Sequence, residues 1–343
     1  MTLLTTHNPI QPLPAHTAAE LMRMYIDQDT DPLLVGACLA LMAQREPRAE
    51  ELFAFANELL QVAEPFERPA MRVLDTCGTG GDGASTANLS TLAALLLAHL
   101  GVPVAKHGNR AATSLCGSAD VLEGLGYALD RSPEALAADL RDQNFAFLFA
   151  PRYHPLLGRL KEIRSRLGIP TIFNVLGPLL NPARPPLQVL GVSRRSLMQP
   201  MAQALAMQGI ERAFVVHGLS AEGRGMDELS IEGPSFVLEV RGADVLEEKT
   251  LVPRDLGMAM PAQYALRVES REEAINVAAA LLAGKTHAGF RKEVAEAVSL
   301  QAALGLLLHR DQSLDSLCDV LSEALQTLDS GFKPPFGLEK AHA

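Results

Sequence analysis

An α/β fold preceded by a small helical domain follows from three features of the chain. Residues 1–70 carry helical patterning; from residue 71 short apolar runs alternate with helical segments; and the first of those runs ends in a glycine-rich stretch. Strand, loop, helix and strand at this spacing make a larger α/β domain, 71–343, with a mostly parallel central sheet and helices on both faces. The 343 residues are too many for one ordinary domain and suit two unequal ones.

In the helical part, Thr17 and Glu20 read as a capping box opening a helix over 17–27. Asp31-Pro32 opens a second, with Leu33, Leu34, Cys38 and Leu41 as apolar positions, and a third covers 49–62. Two prolines within 64–69 break the pattern and read as a linker. Strands are expected at 71–75 (MRVLD), 102–106 (VPVAK), 146–150 (AFLFA), 187–192 (LQVLGV) and 213–218 (AFVVHG). Helices are expected at 89–100, 118–125, 133–141 and 196–208. The stretch 235–266 reads as antiparallel strands, and the C-terminal part returns to helix, most clearly at 271–283 and 314–328.

Composition excludes several classes. Hydrophobic residues at 48% supply a core, and charged residues at 20% are too few for a disordered chain. A formal net charge of −10 argues against a nucleic-acid coat, which needs a basic face. Cys38, Cys77, Cys116 and Cys318 are far apart with no C-x-x-C pair, so neither a disulfide framework nor a structural zinc is expected, and a reduced, cytoplasmic compartment is. The N-terminus lacks the pattern of a signal peptide, and the most apolar stretch, 92–100, is too short to span a bilayer.

Three loops carry the chemistry. The first is Asp75-Thr-Cys-Gly78-Thr-Gly80-Gly81-Asp82-Gly83, followed by Thr86, Asn88, Ser90 and Thr91. It follows a strand and opens a helix. Glycines let the backbone approach an anion, and a helix N-terminus adds partial positive charge. A plain glycine turn would explain the glycines, but not the hydroxyl and amide cluster behind them. That combination favours a phosphate cradle, and Ser90 would also suit a hard cation. The second loop is Lys106-His107-Gly108-Asn109-Arg110, then Thr113-Ser114 and Gly117-Ser118-Ala-Asp120. Its two cations and hydroxyls suit a phosphorylated ligand. The bland reading is a solvated patch with Ser118 as an N-cap, and His107 alone is weak. The third is Gly225-Met226-Asp227-Glu228-Leu229-Ser230, an exposed loop on this reading. Its paired carboxylates make sense beside an anion site as partners for Mg²⁺. A fourth stretch, from Arg164 to Pro182, receives no chemistry from its spacing.

Together, DTCGTGGDG with NLST, KHGNR with GSAD, FLFAPRYHP with IFNVLGPLLNP, and GMDELS resemble the anthranilate phosphoribosyltransferase family over about 17–330. The resemblance implies a fold like those of nucleoside phosphorylases and phosphoribosyltransferases. It also implies a helical domain of 1–70 joined by part of 155–185, a cleft between the domains, and a homodimer formed through the helical domain. Gly78, Gly81, Asp82, Thr86, Asn88, Ser90, Thr91, Lys106, Ser114 and Ser118 would bind phosphoribosyl pyrophosphate. Gly78, Asn109 and Arg164 would meet anthranilate, and Ser90, Asp227 and Glu228 would hold magnesium. The chain departs from the family pattern at Leu115, Cys116 and Pro170, and its loop from His217 to Gly225 is longer.

The implied reaction needs little acid–base machinery. Departing pyrophosphate leaves cationic character on the sugar, so the main demand is charge neutralisation at the leaving group. An aromatic amine is neutral at pH 7 and needs positioning. No catalytic dyad stands out; His107 or a water is left to take the amine proton. Two other readings remain: a pyrimidine nucleoside phosphorylase, which shares the GSADVLEGLG type of segment, and a non-catalytic nucleic-acid-binding relative. Intact GTGGDG, NLST and the Asp227-Glu228 pair argue against the first, and the net charge of −10 against the second.

Overall fold

The protein is described here by a computed structural model covering residues 8–111, 115–259, 261, 265–286 and 290–336. Its N-terminal helices are α1 (Ala15–Ile26), α2 (Pro32–Met42) and α3 (Ala49–Gln61). The Thr17 capping box does not form: α1 starts earlier with Pro14 at its N-cap, and Thr17 is buried within the helix. Proline's fixed φ suits that entry without a side-chain cap. Asp31 caps α2 as expected, accepting from Leu33 N at 2.9 Å with Pro32 next in line. At α3, Glu51 accepts from Arg48 N at 2.9 Å. Fully buried, it also takes Leu13 N at 3.0 Å and Arg45 Nη1 at 2.7 Å, tying the incoming chain to the helix.

The sheet places β1 (Leu74–Gly78), β2 (Val104–Gly108), β3 (Phe145–Phe149), β4 (Leu187–Gly191) and β5 (Arg212–Leu219) in parallel, in the order β3-β2-β1-β4-β5. β1 and β2 each lie two or three residues later than expected. Polar Thr76 and His107, beyond the expected strands, lie buried inside the sheet together with Asp75 and Lys106. Asn181 explains part of this, donating to Asp75 Oδ2 at 2.9 Å and to Ala105 O at 2.8 Å. Beyond β5, β6 (Gly225–Met226), β7 (Ser235–Arg241), β8 (Asp244–Val245) and β9 (Lys249–Leu251) pair antiparallel. Among the described residues the antiparallel ladder therefore ends at Leu251, short of 266, with only an isolated antiparallel bridge between Thr86 and Arg267 beyond it.

Side chains alternate across the sheet, as strand geometry requires. Leu187, Val189, Phe214 and Val216 join one apolar cluster with α4 (Leu89–His99) and α11 (Phe290–His309). Leu190, Val192, Ala213 and Val215 join another with α9 (Met198–Met207), α1 to α3, and Leu160 and Ile163 of α8 (Leu157–Leu167). The intervening helices are α5 (Ser118–Gly124), α6 (Pro133–Gln143) and the single turn α7 (Ala150–Tyr153); α10 (Arg271–Leu282) and α12 (Leu317–Ser330) lie in the C-terminal part. No helix among the described residues is long and apolar enough to cross a membrane.

The strand order fixes where a ligand can sit. From β1 the chain goes outward to β2 and β3, then returns to the other side of β1 as β4. The C-terminal ends of β1 and β4 therefore flank the switch point where open α/β sheets form their crevice.

Candidate active site

At that switch point the two strands end in Gly78 and Gly191, which are register partners. The Asp227 segment lies directly on them. A Cβ on Gly78 would stand 2.0 Å from Asp227 Oδ2, and one on Gly191 would stand 1.6 Å from the Asp227 carbonyl oxygen. Only glycine permits this approach. Gly191 was not singled out by the sequence reading; the LGV after a buried run was its sole signal. From β1 the chain turns through Gly81, at φ +80°, where a side chain would be strained. Gly80 N donates to Asp227 Oδ2 at 2.6 Å, and Asp82 Oδ1 accepts from Ala84 N at 3.0 Å. Thr86 closes the far end of the loop in a bridge with Arg267.

Helix α4 begins immediately behind this loop. Ser90 N, in its first turn, donates to Glu228 Oε1 at 3.1 Å. Lys106 does not reach out to solvent: only 2% exposed, it donates to Thr76 O and, at 3.3 Å, to Ser90 Oγ. Asn88 Nδ2 donates to Cys116 O at 3.0 Å. Four buried polar atoms around this cluster have no partner: Asn88 Oδ1, Thr91 Oγ1, Glu228 Oε2 and Asp75 Oδ1.

The carboxylates are half-buried rather than exposed, contrary to the reading of the loop as surface. Burial first, then the neighbouring Asp82, pushes Asp227 up to about 7. Burial also drives Glu228 well above the usual range, aided by Asp227 and Asp82, while Ser90 N–H and Lys106 pull it back. Burial pulls Lys106 down, opposed by Asp75, Cys77 and the acid pair. Among the described residues no three His, Cys, Asp or Glu side chains converge as a ready metal cage. A small hard cation held by one or two carboxylates and by substrate oxygens does not need one. Repelling carboxylates and an orphaned Glu228 oxygen, with the Ser90 hydroxyl close by, fit such a cation.

The second loop is arranged differently from expectation. Gly117, not Ser118, is the N-cap of α5; Ser118 Oγ instead donates to Asn109 O at 3.2 Å. Arg110 is turned from the site and forks onto Glu123 at 2.7 and 2.8 Å. Ser114 lies outside the described residues. His107 packs edge-on against His154 with ring centroids 5.3 Å apart. Burial first, then His154, lowers it to about 3, against a bond to the Gly177 backbone. A ring with its pKa so lowered is a poor proton acceptor near pH 7.

Arg164 stands in the last turn of α8, half-buried, with its guanidinium 5.6 Å from the Phe173 ring centroid. It donates to Asn174 Oδ1 at 3.3 Å, and burial lowers its pKa. Direct contacts thus unite Gly78, Gly80, Ser90, Lys106, Asp227 and Glu228, and separately Asn109 with Ser118; Arg164 stands apart on the helical side. A cavity of about 450 Å³ opens near the N-terminal end of β4, lined by Phe53, Asn57, Arg68 and Arg184 among others. It shares no residue with the carboxylate cluster.

Residues 70–332 match the glycosyl transferase family, a/b domain, which defines the class of protein. A Synechococcus protein named anthranilate phosphoribosyltransferase is 40% identical over 320 residues, covering 93% of this chain and 89% of that one. A Pelodictyon phaeoclathratiforme protein of the same name is 39% identical over 296 residues, covering 86% and 83%. The crystal structure of anthranilate phosphoribosyltransferase from Thermus thermophilus matches with a TM-score of 0.83 at 37% identity, covering 94% of this chain and 93% of that one. That from Saccharomyces cerevisiae, in complex with phosphoribosyl pyrophosphate and Mg, matches with a TM-score of 0.78 at 26% identity, covering 92% and 89%. The chain belongs to the anthranilate phosphoribosyltransferase family.

Proposed function

We propose that the protein transfers the phosphoribosyl group of phosphoribosyl pyrophosphate to the amine of anthranilate, releasing pyrophosphate, as a step of tryptophan biosynthesis. The observation that carries this reading is the Asp227-Glu228 pair seated on the glycine ends of β1 and β4, against the first turn of α4. A pyrophosphate without a cation would be repelled by that pair; with one, the acid pair and the N–H groups of the loop serve the same ligand. Ser90, Asp227 and Glu228 would hold Mg²⁺, which when bound offsets the charge gathering on the leaving pyrophosphate.

The chain's own groups do the rest. The glycine loop and the start of α4 present N–H groups and a favourable dipole to the phosphates, with Asn88, Thr91 and Ser118 as further ligands. Lys106 supports Ser90 from below and steadies the acid pair by its charge. Asn109 and Arg164 orient anthranilate, the guanidinium gripping the carboxylate ortho to the amine. The amine nitrogen attacks C1, the C1–O bond to pyrophosphate breaks, and the amine proton passes to water. The same reading places residues 1–70 and part of 155–185 in a helical domain, a homodimer across it, and the enzyme in the cytoplasm.

The test follows the fluorescence of anthranilate. Its consumption should require phosphoribosyl pyrophosphate and Mg²⁺ together. An active preparation that consumes none, yet phosphorolyses thymidine or uridine, would replace this reading with the nucleoside phosphorylase one.

A further inference from the structure

Asp120 belongs to the GSAD turn, has been given no role in binding, and makes a contact that a helix start does not require. Its Oδ2 accepts from Gly117 N at 2.9 Å, the ordinary bond from N3 back to the N-cap. The same oxygen accepts from Ala111 N, also at 2.9 Å. Ala111 lies on the way out of the β2 loop and Gly117 on the way into α5, so one carboxylate oxygen joins both ends of the segment between them. The two ends are in backbone contact: a Cβ on Gly117 would meet Ala111 N at 2.4 Å and Asn109 O at 2.7 Å. The other oxygen, Oδ1, faces Arg110 at 3.4 Å and Arg271 of α10 at 3.8 Å. Glu123, one turn on, takes the same two arginines. Asp120 is 6% exposed.

We propose that Asp120 is a positioning residue for phosphoribosyl pyrophosphate, stapling Ala111 to Gly117 so that Gly117 and Ser118, at the start of α5, are held in place for the ligand. The proposal rests on the phosphoribosyltransferase reading above. Arg271 secures the staple from a distant helix and anchors the loop to the α/β body. Asn109 is held otherwise, its carbonyl accepting from Ala119 N and from Ser118 Oγ, each at 3.2 Å. Loss of Asp120 removes neither of these bonds, so its effect on the acceptor side is indirect. Preformed loops lower the ordering cost of binding, so loss of the staple falls on affinity for the phosphorylated sugar.

The experiment compares D120A, which has no acceptor, with D120N, whose amide oxygen can still accept both bonds. D120A should raise KM for phosphoribosyl pyrophosphate roughly ten- to a hundredfold, as expected for one or two lost bonds to a charged acceptor. Its kcat and its KM for anthranilate should stay within about threefold of wild type, and D120N should recover most of the loss. Hydrogen exchange supplies a second readout: the Ala111 and Gly117 amides should be protected in ligand-free wild type and D120N, and exposed in D120A. Unprotected amides in the wild type overturn the staple even if D120A does not fold. So does a D120N variant as impaired as D120A, or a D120A variant that loses kcat and both KM values together. A wild type with no transferase activity would overturn the functional reading, while the exchange comparison would still judge the staple.

Discussion

Asp227 occupies a position that works against the fold when no cation is present. Its folded pKa, about 7, lies above the value of an ordinary carboxyl. The sign follows by linkage: its contribution is most favourable below pH 4 or so, and is lost as pH rises through about 7. At pH 8 in chelator, Asp227→Asn should therefore raise the melting temperature by roughly 3–10 °C, since an amide still accepts from Gly80 N. Turnover should fall by about a hundredfold or more. A thermal scan and a turnover assay on one preparation check both halves, and an unchanged or lower melting temperature contradicts the first. For Arg164→Ala, KM for anthranilate should rise strongly, with a loss on the order of 2–4 kcal/mol in specificity. Affinity for phosphoribosyl pyrophosphate should barely move, because the Arg164 guanidinium sits on the helical side, at Asn174 and the Phe173 ring. Separate titration of the two substrates distinguishes this from a displaced helix, which would weaken both. The acid pair and the glycines are legible in sequence because each residue type has few uses at that spacing. The inward turn of Lys106 is not, because Thr76 and Ser90 are its neighbours only after β1 and β2 pair. Nor is the pairing of Arg110 with Glu123, which removes a cation that local spacing had offered to phosphate.

Among the elements, strands flanked by apolar runs are recognisable, and their ends are not. The reading stops β1 at Asp75, whereas pairing with β4 carries it to Gly78. Buried polar residues inside a strand are visible only through distant partners such as Asn181. Helix α11 falls in the C-terminal part read as helical, but its bounds are not picked out by the sequence. From Val294 to Leu308 its apolar residues are buried on every side, so it lacks the one-sided stripe by which a surface helix is found. Gly305 shows how tightly it packs: a Cβ there would meet Leu97 Cδ1 at 2.6 Å and Leu74 Cδ2 at 2.9 Å. Gly305→Val should force α11 away from α4 and β1 and destabilise the protein by about 1–3 kcal/mol or more. The check is a urea transition with a lower midpoint and an unchanged slope. A midpoint equal to that of wild type would mean that the contact relaxes freely.

At the scale of the whole molecule, the helical side exposes large apolar side chains. Leu33 is 79% exposed and Ile10 is 44% exposed, both in the N-terminal part. Large apolar side chains so exposed favour a partner surface, in line with the proposed homodimer. Sedimentation velocity should give about twice the chain mass of 36.8 kDa, and Leu33→Glu should shift the boundary toward the monomer. A wild-type boundary at the monomer mass would remove the dimer. The meeting of β1 with β4 also governs how the protein comes into being. Leu74–Gly78 has to find Leu187–Gly191 after the chain carrying β2, β3 and α8 has been laid down between them. Such pairing of remote segments slows folding more than local helix formation does. The seat of Asp227 thus has no local precursor. A ribosome that has released the first three strands has made the glycine loop but not the floor on which the acid pair rests. The site therefore waits on β4, whatever the earlier strands have achieved.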